Sequence, residues 1–207
     1  MLKTRIAVMV SGGGTNLQAL IDASASGIIT SGEIVLCLSN KADAYALTRA
    51  ERAGIECAVV LRPDFASAEE FEERLISELD SRGVELIVLA GFMSILSERF
   101  TSHYRDRIIN VHPSLIPSFS GKGFYGLRVH EAALAYGVKV SGATVHYVNE
   151  IPDGGRIIMQ RAVEVRDGDT PESLQRRIME EAEWKILPLS CELVCREIAE
   201  KKEITET

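Results

Sequence analysis

Residues 5–24 read "RIAVMVSGGGTNLQALIDAS", and this stretch decides the fold. It begins with six residues that are mostly apolar, which is the length of a buried strand, and continues through a glycine-rich turn at 11–16. From Leu17 onward, apolar residues recur at helical spacing. A buried strand, a tight turn and an amphipathic helix in this order are typical of a βα unit. The stretch therefore predicts an α/β fold.

The same pattern repeats through the first half of the chain. Buried strands are predicted at residues 32–40, 57–61 and 84–92, with an amphipathic helix between each pair. This alternation predicts βαβ units around a parallel sheet. The first strand–glycine–helix junction should then lie at the carboxyl edge of the sheet, where such folds bind ligands.

The second half has a different order of elements. Residues 107–112 are predicted as a strand, 113–126 as a long loop and 127–137 as a helix. Strands are predicted at 139–148 and 156–165, with strong turn residues but no full helix between them. This spacing predicts antiparallel or mixed pairing at this side of the sheet.

A long helix is predicted at the end of the chain. Thr170 and Pro171 should start it, it should run to about residue 199, and Pro188 inside it should favour a kink. No linker or composition shift marks a domain boundary. The predicted organisation is one domain at 1–200, with halves at 1–100 and 101–200, followed by a frayed tail at 201–207.

Composition excludes several classes of function. The net charge of −7 argues against general binding of nucleic acid, because phosphate backbones require basic surfaces. No apolar run reaches the roughly 18 residues of a membrane helix, so no membrane partner is expected, and the start is predicted as a strand rather than a signal peptide. The four cysteines lack metal-ligand spacing, which predicts free thiols in a reducing cytoplasm and no metal site.

The glycine turn "SGGGTN" could bind an anion. Three glycines let backbone N–H groups converge on a phosphate, and the helix that follows adds a partial positive charge. Thr15 or Asn16 is expected to cap that helix. No Walker sequence follows, so ATP hydrolysis is not expected. A tight turn without a ligand remains the alternative.

Asn110 and His112 should stand at the end of a strand and point in the same direction. An asparagine amide can donate to a developing oxyanion, and a histidine can transfer a proton near pH 7. Asp153 lies in a rigid "PDG" turn, and its carboxylate would raise the pKa of His112 if the two were close. A polar strand end and an ordinary turn are the structural alternatives.

The last helix offers two further candidates. Glu180 and Glu183 should share a face and could accept hydrogen bonds from sugar hydroxyls, although a solvated acidic face is the simpler interpretation. Trp184 is predicted to pack. His103 and His130 have no partners at ligand spacing and are interpreted as surface or structural residues.

The motifs "SGGGTNL", "LAGFM", "NVHPSLIP" and the later "DGG" turn occur in the order seen in the glycinamide ribonucleotide transformylases. The resemblance covers residues 5–190. It implies the formyltransferase fold, a Rossmann-like, mostly parallel twisted sheet flanked by helices with a long C-terminal helix. It also implies transfer of the formyl group of 10-formyltetrahydrofolate to the amine of glycinamide ribonucleotide, without a metal.

The resemblance also implies roles for individual residues. The catalytic residues are Asn110, His112 and Asp153. The substrate-binding residues are Gly12, Gly13, Gly14, Thr15, Asn16, Leu17 and Glu183. The folate-binding residues are Ala68, Leu89, Phe92, Met93, Ser94, Ile95, Leu96, Asn110, Thr144, Val148, Asn149, Glu150 and Asp153.

The chain departs from the family pattern at Ala68 and Ser94, where relatives often carry basic residues, and at Arg156, where proline is common. Two alternatives stay open. One is a formyltetrahydrofolate hydrolase, although those enzymes usually carry an additional N-terminal domain and the first strand is predicted to begin by residue 5. The other is a non-catalytic module that binds folate or nucleotide. A homodimer is also compatible with these predictions.

Overall fold

A seven-stranded sheet forms the centre of the computed structural model, which describes residues 3–205. The strands are β1 Thr4–Val10, β2 Gly32–Ser39, β3 Glu56–Val59, β4 Leu86–Leu89, β5 Ile108–His112, β6 Val140–Tyr147 and β7 Ile157–Glu164. The helices are α1 Thr15–Ala25, α2 Tyr45–Arg52, α3 Ala68–Asp80, α4 Glu98–His103, α5 Leu127–Tyr136, α6 Pro171–Ile178 and α7 Trp184–Thr205. The sequence patterns predicted all of these strands but not the short helix α4.

The strand order is β3-β2-β1-β4-β5-β6-β7. The strands from β3 to β5 pair in parallel, whereas β6 is antiparallel to both β5 and β7. Both the mostly parallel sheet and the antiparallel pairing of the last strands are confirmed. The strand order reverses beside β1, and a crevice at the carboxyl ends of the strands is expected at such a switch point.

β1 is buried on both of its faces. Ile6, Val8 and Val10 pack in the layer that contains α1, α2 and α7, whereas Ala7 and Met9 pack in the layer that contains α3 and α4. This double burial explains why the strand is a continuous apolar run rather than an alternating one. The glycine turn that follows β1 is therefore anchored from two sides.

The end of the chain forms one long helical rod. A capping box at Thr170 starts α6, a π-helical turn at Met179–Glu183 follows, and α7 contains Pro188. The rod continues to Thr205, past the end predicted at about residue 199. Within the predicted frayed tail, residues 201–205 are helical, and residues 206 and 207 lie outside the described part. No helix between residues 3 and 205 combines the length and apolar character needed to cross a membrane.

Candidate active site

Gly14 carries the backbone from the glycine turn into α1. It is the N-cap residue, has a φ of 72° in the left-handed region, and makes no side-chain cap hydrogen bond. A Cβ atom at this position would lie 2.6 Å from the Cβ of Ala46, so glycine is required by both conformation and space. The prediction that Thr15 or Asn16 caps the helix is wrong, because both residues are already inside its first turn.

The turn presents backbone donors. Among the residues that the structure describes, the N–H groups of Gly12 to Asn16 have no backbone acceptor. The carbonyl oxygens of Gly12 and Gly13 are occupied by the Ala46 N–H and by Arg49 Nε, at 3.0 and 2.8 Å. Unpaired N–H groups at a helix N-terminus form an environment that favours an anion. The phosphate-binding role remains a prediction, and this geometry supports it.

Asn16 and Glu183 form the floor beside this turn. Asn16 Nδ2 donates to Glu183 Oε2 at 2.7 Å, and Glu183 is only 7% exposed. Burial raises the pKa of Glu183 to about 7, against the opposing effect of the Asn16 hydrogen bond. Glu180 is exposed, so the two glutamates do not share one environment, because the π-helical turn separates them. The side chain of Leu17 is fully buried in the core, which leaves only its backbone for a ligand.

Asn110 and His112 occupy the end of β5 on one face of the strand. Antiparallel pairing places His146 opposite Asn110 and Thr144 opposite His112. Thr144 is buried and its hydroxyl donates to the carbonyl oxygen of Ser114 at 2.6 Å. Thr144 therefore fixes the start of the loop that follows β5.

His112 is held through both ring nitrogens. Its Nε2 lies 2.9 Å from the carbonyl oxygen of Phe119, and its Nδ1 lies 3.5 Å from Asp153 Oδ2. Because a carbonyl oxygen only accepts, Nε2 must carry a proton, and a second proton on Nδ1 would then face the carboxylate. Burial lowers the pKa of His112 and outweighs the raising effects of Asp153 and the Phe119 carbonyl, with His146 also lowering it. The expected net rise in this pKa is therefore wrong for the structure without ligands.

Asp153 stands in a strained turn. Its φ of 56° lies in the left-handed region, which is uncommon for residues other than glycine. Its Oδ2 accepts a hydrogen bond of 2.8 Å from the Gly121 N–H. Burial raises the pKa of Asp153, but the imidazoles of His146 and His112 and the Gly121 N–H outweigh burial and hold the pKa below its usual value. Asp153 is therefore a carboxylate at neutral pH.

His146 was missed by the sequence interpretation. Its Nδ1 lies 2.8 Å from the carbonyl oxygen of Tyr147, which fixes the proton on that nitrogen. In the neutral ring, Nε2 then accepts from Asn110 Nδ2 at 3.2 Å, and it lies 3.6 Å from Asp153 Oδ1. A histidine within the apolar strand "ATVHYV" was the available signal, but its partner depended on a strand register that the sequence did not give.

A cleft of about 140 Å³ lies beside Asn110 and Asp153. The predicted folate-binding residues that line it are Leu89, Phe92, Ser94, Ile95, Leu96, Asn110, Val148, Asn149, Glu150 and Asp153. Ala68, Met93 and Thr144 do not line it, and Ala68 and Met93 are exposed. Ser94 accepts a hydrogen bond of 2.9 Å from Asn40 Nδ2, so this departure from the family pattern connects two loops.

The two remaining predicted histidines lie apart from this cleft. His103 is exposed and lies 3.1 Å from Asp80 Oδ2. His130 is fully buried, and burial together with His112 lowers its pKa to about 4. Within the described range, no group of three or more His, Cys, Asp or Glu residues could hold a metal ion.

Comparisons with known proteins agree with this architecture. Phosphoribosylglycinamide formyltransferase of Haemophilus influenzae is 44% identical over 185 residues, which cover 89% of this chain and 84% of that protein. The trifunctional purine biosynthetic protein adenosine-3 of Gallus gallus is 45% identical, and the match covers 93% of this chain but only 18% of that longer protein.

The crystal structure of glycinamide ribonucleotide transformylase 1 from Symbiobacterium toebii superposes with a TM-score of 0.88 at 41% identity. That match covers 94% of this chain and 89% of the other. A family model described as formyl transferase matches residues 4–190, which is most of the sequence. The chain therefore belongs to the formyl transferase family.

Proposed function

We propose that this protein transfers the formyl group of 10-formyltetrahydrofolate to the amine of glycinamide ribonucleotide, in purine biosynthesis. The products are formylglycinamide ribonucleotide and tetrahydrofolate. The observation that carries the proposal is the grouping of Asn110, His112 and Asp153 at the end of β5, beside the small cleft. The hydrogen bond from the Met93 N–H to Ser11 Oγ, at 2.8 Å, connects the loop of this cleft to the glycine turn. Donor and acceptor sites would thus adjoin.

The cleft fits a flat heterocycle better than a whole folate. Its volume of about 140 Å³ suits one bicyclic ring, and Leu89, Phe92 and Leu96 give it apolar walls. The backbone of residues 148–153 supplies polar groups at the opposite side. In our proposal the pterin ring binds here, and the formyl group points toward Asn110.

The acceptor would bind at the turn after β1. Its phosphate would accept hydrogen bonds from the backbone N–H groups of Gly12 to Asn16, supported by the helix dipole of α1. Its ribose hydroxyls would donate to Glu183. These contacts place the amine of the acceptor near the end of β5, where attack on the formyl carbon requires stabilisation of negative charge on oxygen.

Each catalytic side chain has a separate task in this reaction. Asn110 Nδ2 uses one N–H for His146 and directs the other to the formyl oxygen, where charge develops. The attacking amine loses a proton, and the departing nitrogen of the donor gains one. Asp153 lines the cleft whereas His112 does not, so we infer that the proton moves through Asp153 and a bound water, with His112 stabilising the carboxylate.

The cysteines agree with the compartment that this reaction requires. All four cysteines are free thiols, and three of them are buried. Free thiols are typical of proteins kept in a reducing environment. We therefore place the reaction in the cytoplasm.

The test measures formation of tetrahydrofolate by the purified protein, with and without glycinamide ribonucleotide. We expect tetrahydrofolate to appear only when the acceptor is present, in equal amount to formylglycinamide ribonucleotide. Consumption of the donor without the acceptor would support the hydrolase instead. Tight binding of the donor with no turnover would support the non-catalytic module.

A further inference from the structure

A groove of about 700 Å³ lies between α1 and α7, on the outer side of the glycine turn. Its floor is apolar, formed by Ala19 and Ala23 of α1 and by Pro188 and Leu189 of α7. This volume falls within the range of cavities that hold small molecules. Asn16 and Glu183 do not line the groove, so it is separate from the proposed acceptor site.

One wall of the groove carries an unsatisfied aromatic donor. Trp184 is the one tryptophan of the chain, and its side chain lines the groove. Its indole N–H is buried and has no acceptor within the described residues. A buried donor of this kind is costly unless a partner binds it. A flat ligand with a ring nitrogen would cover the apolar surface and accept this hydrogen bond.

Two cations line the same groove without partners. Arg161 of β7 and Lys185 of α7 are exposed, and neither forms an ion pair with any residue in the range 3–205. Arg49 also lines the groove, but its side chain already donates to Gly13 and Gln18. Free cations beside an apolar floor are notable in a chain with a net charge of −7. Their charge is complementary to an anionic group such as a phosphate.

The α1 side of the groove offers acceptors for hydroxyl groups. Gln18 Nε2 donates to Asp22 Oδ1 at 2.9 Å, which orients the Asp22 carboxylate and leaves its second oxygen available. Ser26 lies further along the same helix face. The groove thus combines an aromatic ring with an unpaired donor, free cations and an oriented carboxylate.

We propose that this groove binds a purine nucleoside 5′-monophosphate as a second ligand, distinct from the acceptor. The purine ring would pack on Trp184 and accept its indole N–H, the ribose hydroxyls would donate to Asp22, and the phosphate would meet Arg161 and Lys185. Thr15 belongs both to the groove and to the glycine turn, so an occupant would lie next to the acceptor phosphate. The proposal goes beyond formyl transfer and does not depend on it.

Titration with adenosine 5′-monophosphate tests the proposal. Because Trp184 is the one tryptophan, its fluorescence reports the groove directly. We expect a saturable change with unmodified protein, and an affinity about fivefold weaker in each of Arg161→Ala and Lys185→Ala, as for loss of one partly solvated ion pair. Lys139→Ala is the matched control, since Lys139 is exposed and lies 3.4 Å from Asp167 on another face, and its affinity should be unchanged.

Binding of the nucleotide in the acceptor site must be separated from binding in the groove. Asn16→Ala should weaken the acceptor while leaving nucleotide affinity unchanged, and calorimetry on Trp184→Phe gives a readout that does not need fluorescence. The proposal is overturned by the absence of saturable binding, by equal affinity in the Arg161 and Lys185 variants, or by loss of nucleotide binding in Asn16→Ala. None of these outcomes affects the formyl-transfer assay, so the two proposals fail independently.

Discussion

The Nε2 atom of His112 lies 2.9 Å from the carbonyl oxygen of Phe119, in the loop that follows β5. Phe119 has a φ of 50°, and Asp153 on the other side of the imidazole has a φ of 56°. Both values are uncommon for residues with a side chain, and such conformations persist where the surrounding structure enforces them. His112 is thus fixed between two backbone positions of low intrinsic stability, and only 4% of it is exposed.

Replacement of His112 by alanine should abolish most formyl transfer. The variant removes the imidazole that faces Asp153, and loss of a group that acts in proton transfer typically lowers kcat about 10²- to 10⁴-fold. The measurement is kcat by the tetrahydrofolate assay, together with a thermal melt to show that the fold is retained. His103→Ala is the control, because His103 is exposed and contacts only the surface residues Asp80 and Tyr104. Equal activity in both variants would refute the role of His112.

Asp153→Asn should move the pH profile as well as lower the rate. Asparagine tolerates a positive φ and can still accept from the Gly121 N–H, so the turn should survive. Without the carboxylate, the pKa of His112 loses its main raising contribution and falls further below its usual value. If activity needs protonated His112, the alkaline limb of kcat/KM must move to lower pH. An alkaline limb that stays in place would show that His112 does not titrate in the observed reaction.

Local patterns predicted the elements well but not the contacts between them. The run "RIIN" predicted β5, and the same-face placement of Asn110 and His112 follows from strand geometry alone. The pairing of Asn110 with His146 needs the register of an antiparallel strand that begins 30 residues later in the chain, and single-strand patterns carry no such information.

Burial was the other quantity that the sequence could not supply. A carboxylate near His112 predicted a raised pKa, but the depth of His112 in the folded chain reverses the sign. Helical spacing put Glu180 and Glu183 on one face, but the π-helical turn buries one and exposes the other. In both cases long-range packing decided the result, which no local spacing rule contains.

Inorganic phosphate should inhibit the enzyme by competing with the acceptor at the glycine turn. Gly14→Ala should raise the KM of the acceptor and weaken inhibition by phosphate in parallel, since the new Cβ would lie 2.6 Å from Ala46 Cβ and distort the turn. Gly54→Ala is a matched control with the same φ of 72° but open space around its Cβ. It should cost about 1–2 kcal/mol of stability and leave both constants unchanged. Non-competitive inhibition by phosphate would contradict an anion site at this turn.

Glu183 should make the folded protein less stable as pH rises from about 4.5 to 7. Its pKa is raised from 4.5 to about 7 by burial, so the folded state binds the proton more tightly than the unfolded state across this window. Stability contributed by the neutral carboxyl is complete below pH 4.5 and decreases by about 3 kcal/mol as pH passes through 7. Glu183→Gln removes the titration and retains an acceptor for Asn16 Nδ2. Urea unfolding at pH 5 and pH 8 should therefore show a smaller pH difference for Glu183→Gln, whereas the exposed control Glu180→Gln should behave like the unmodified protein. Parallel pH dependence in Glu183→Gln and the unmodified protein would mean that Glu183 is ionised in the folded state well below pH 7.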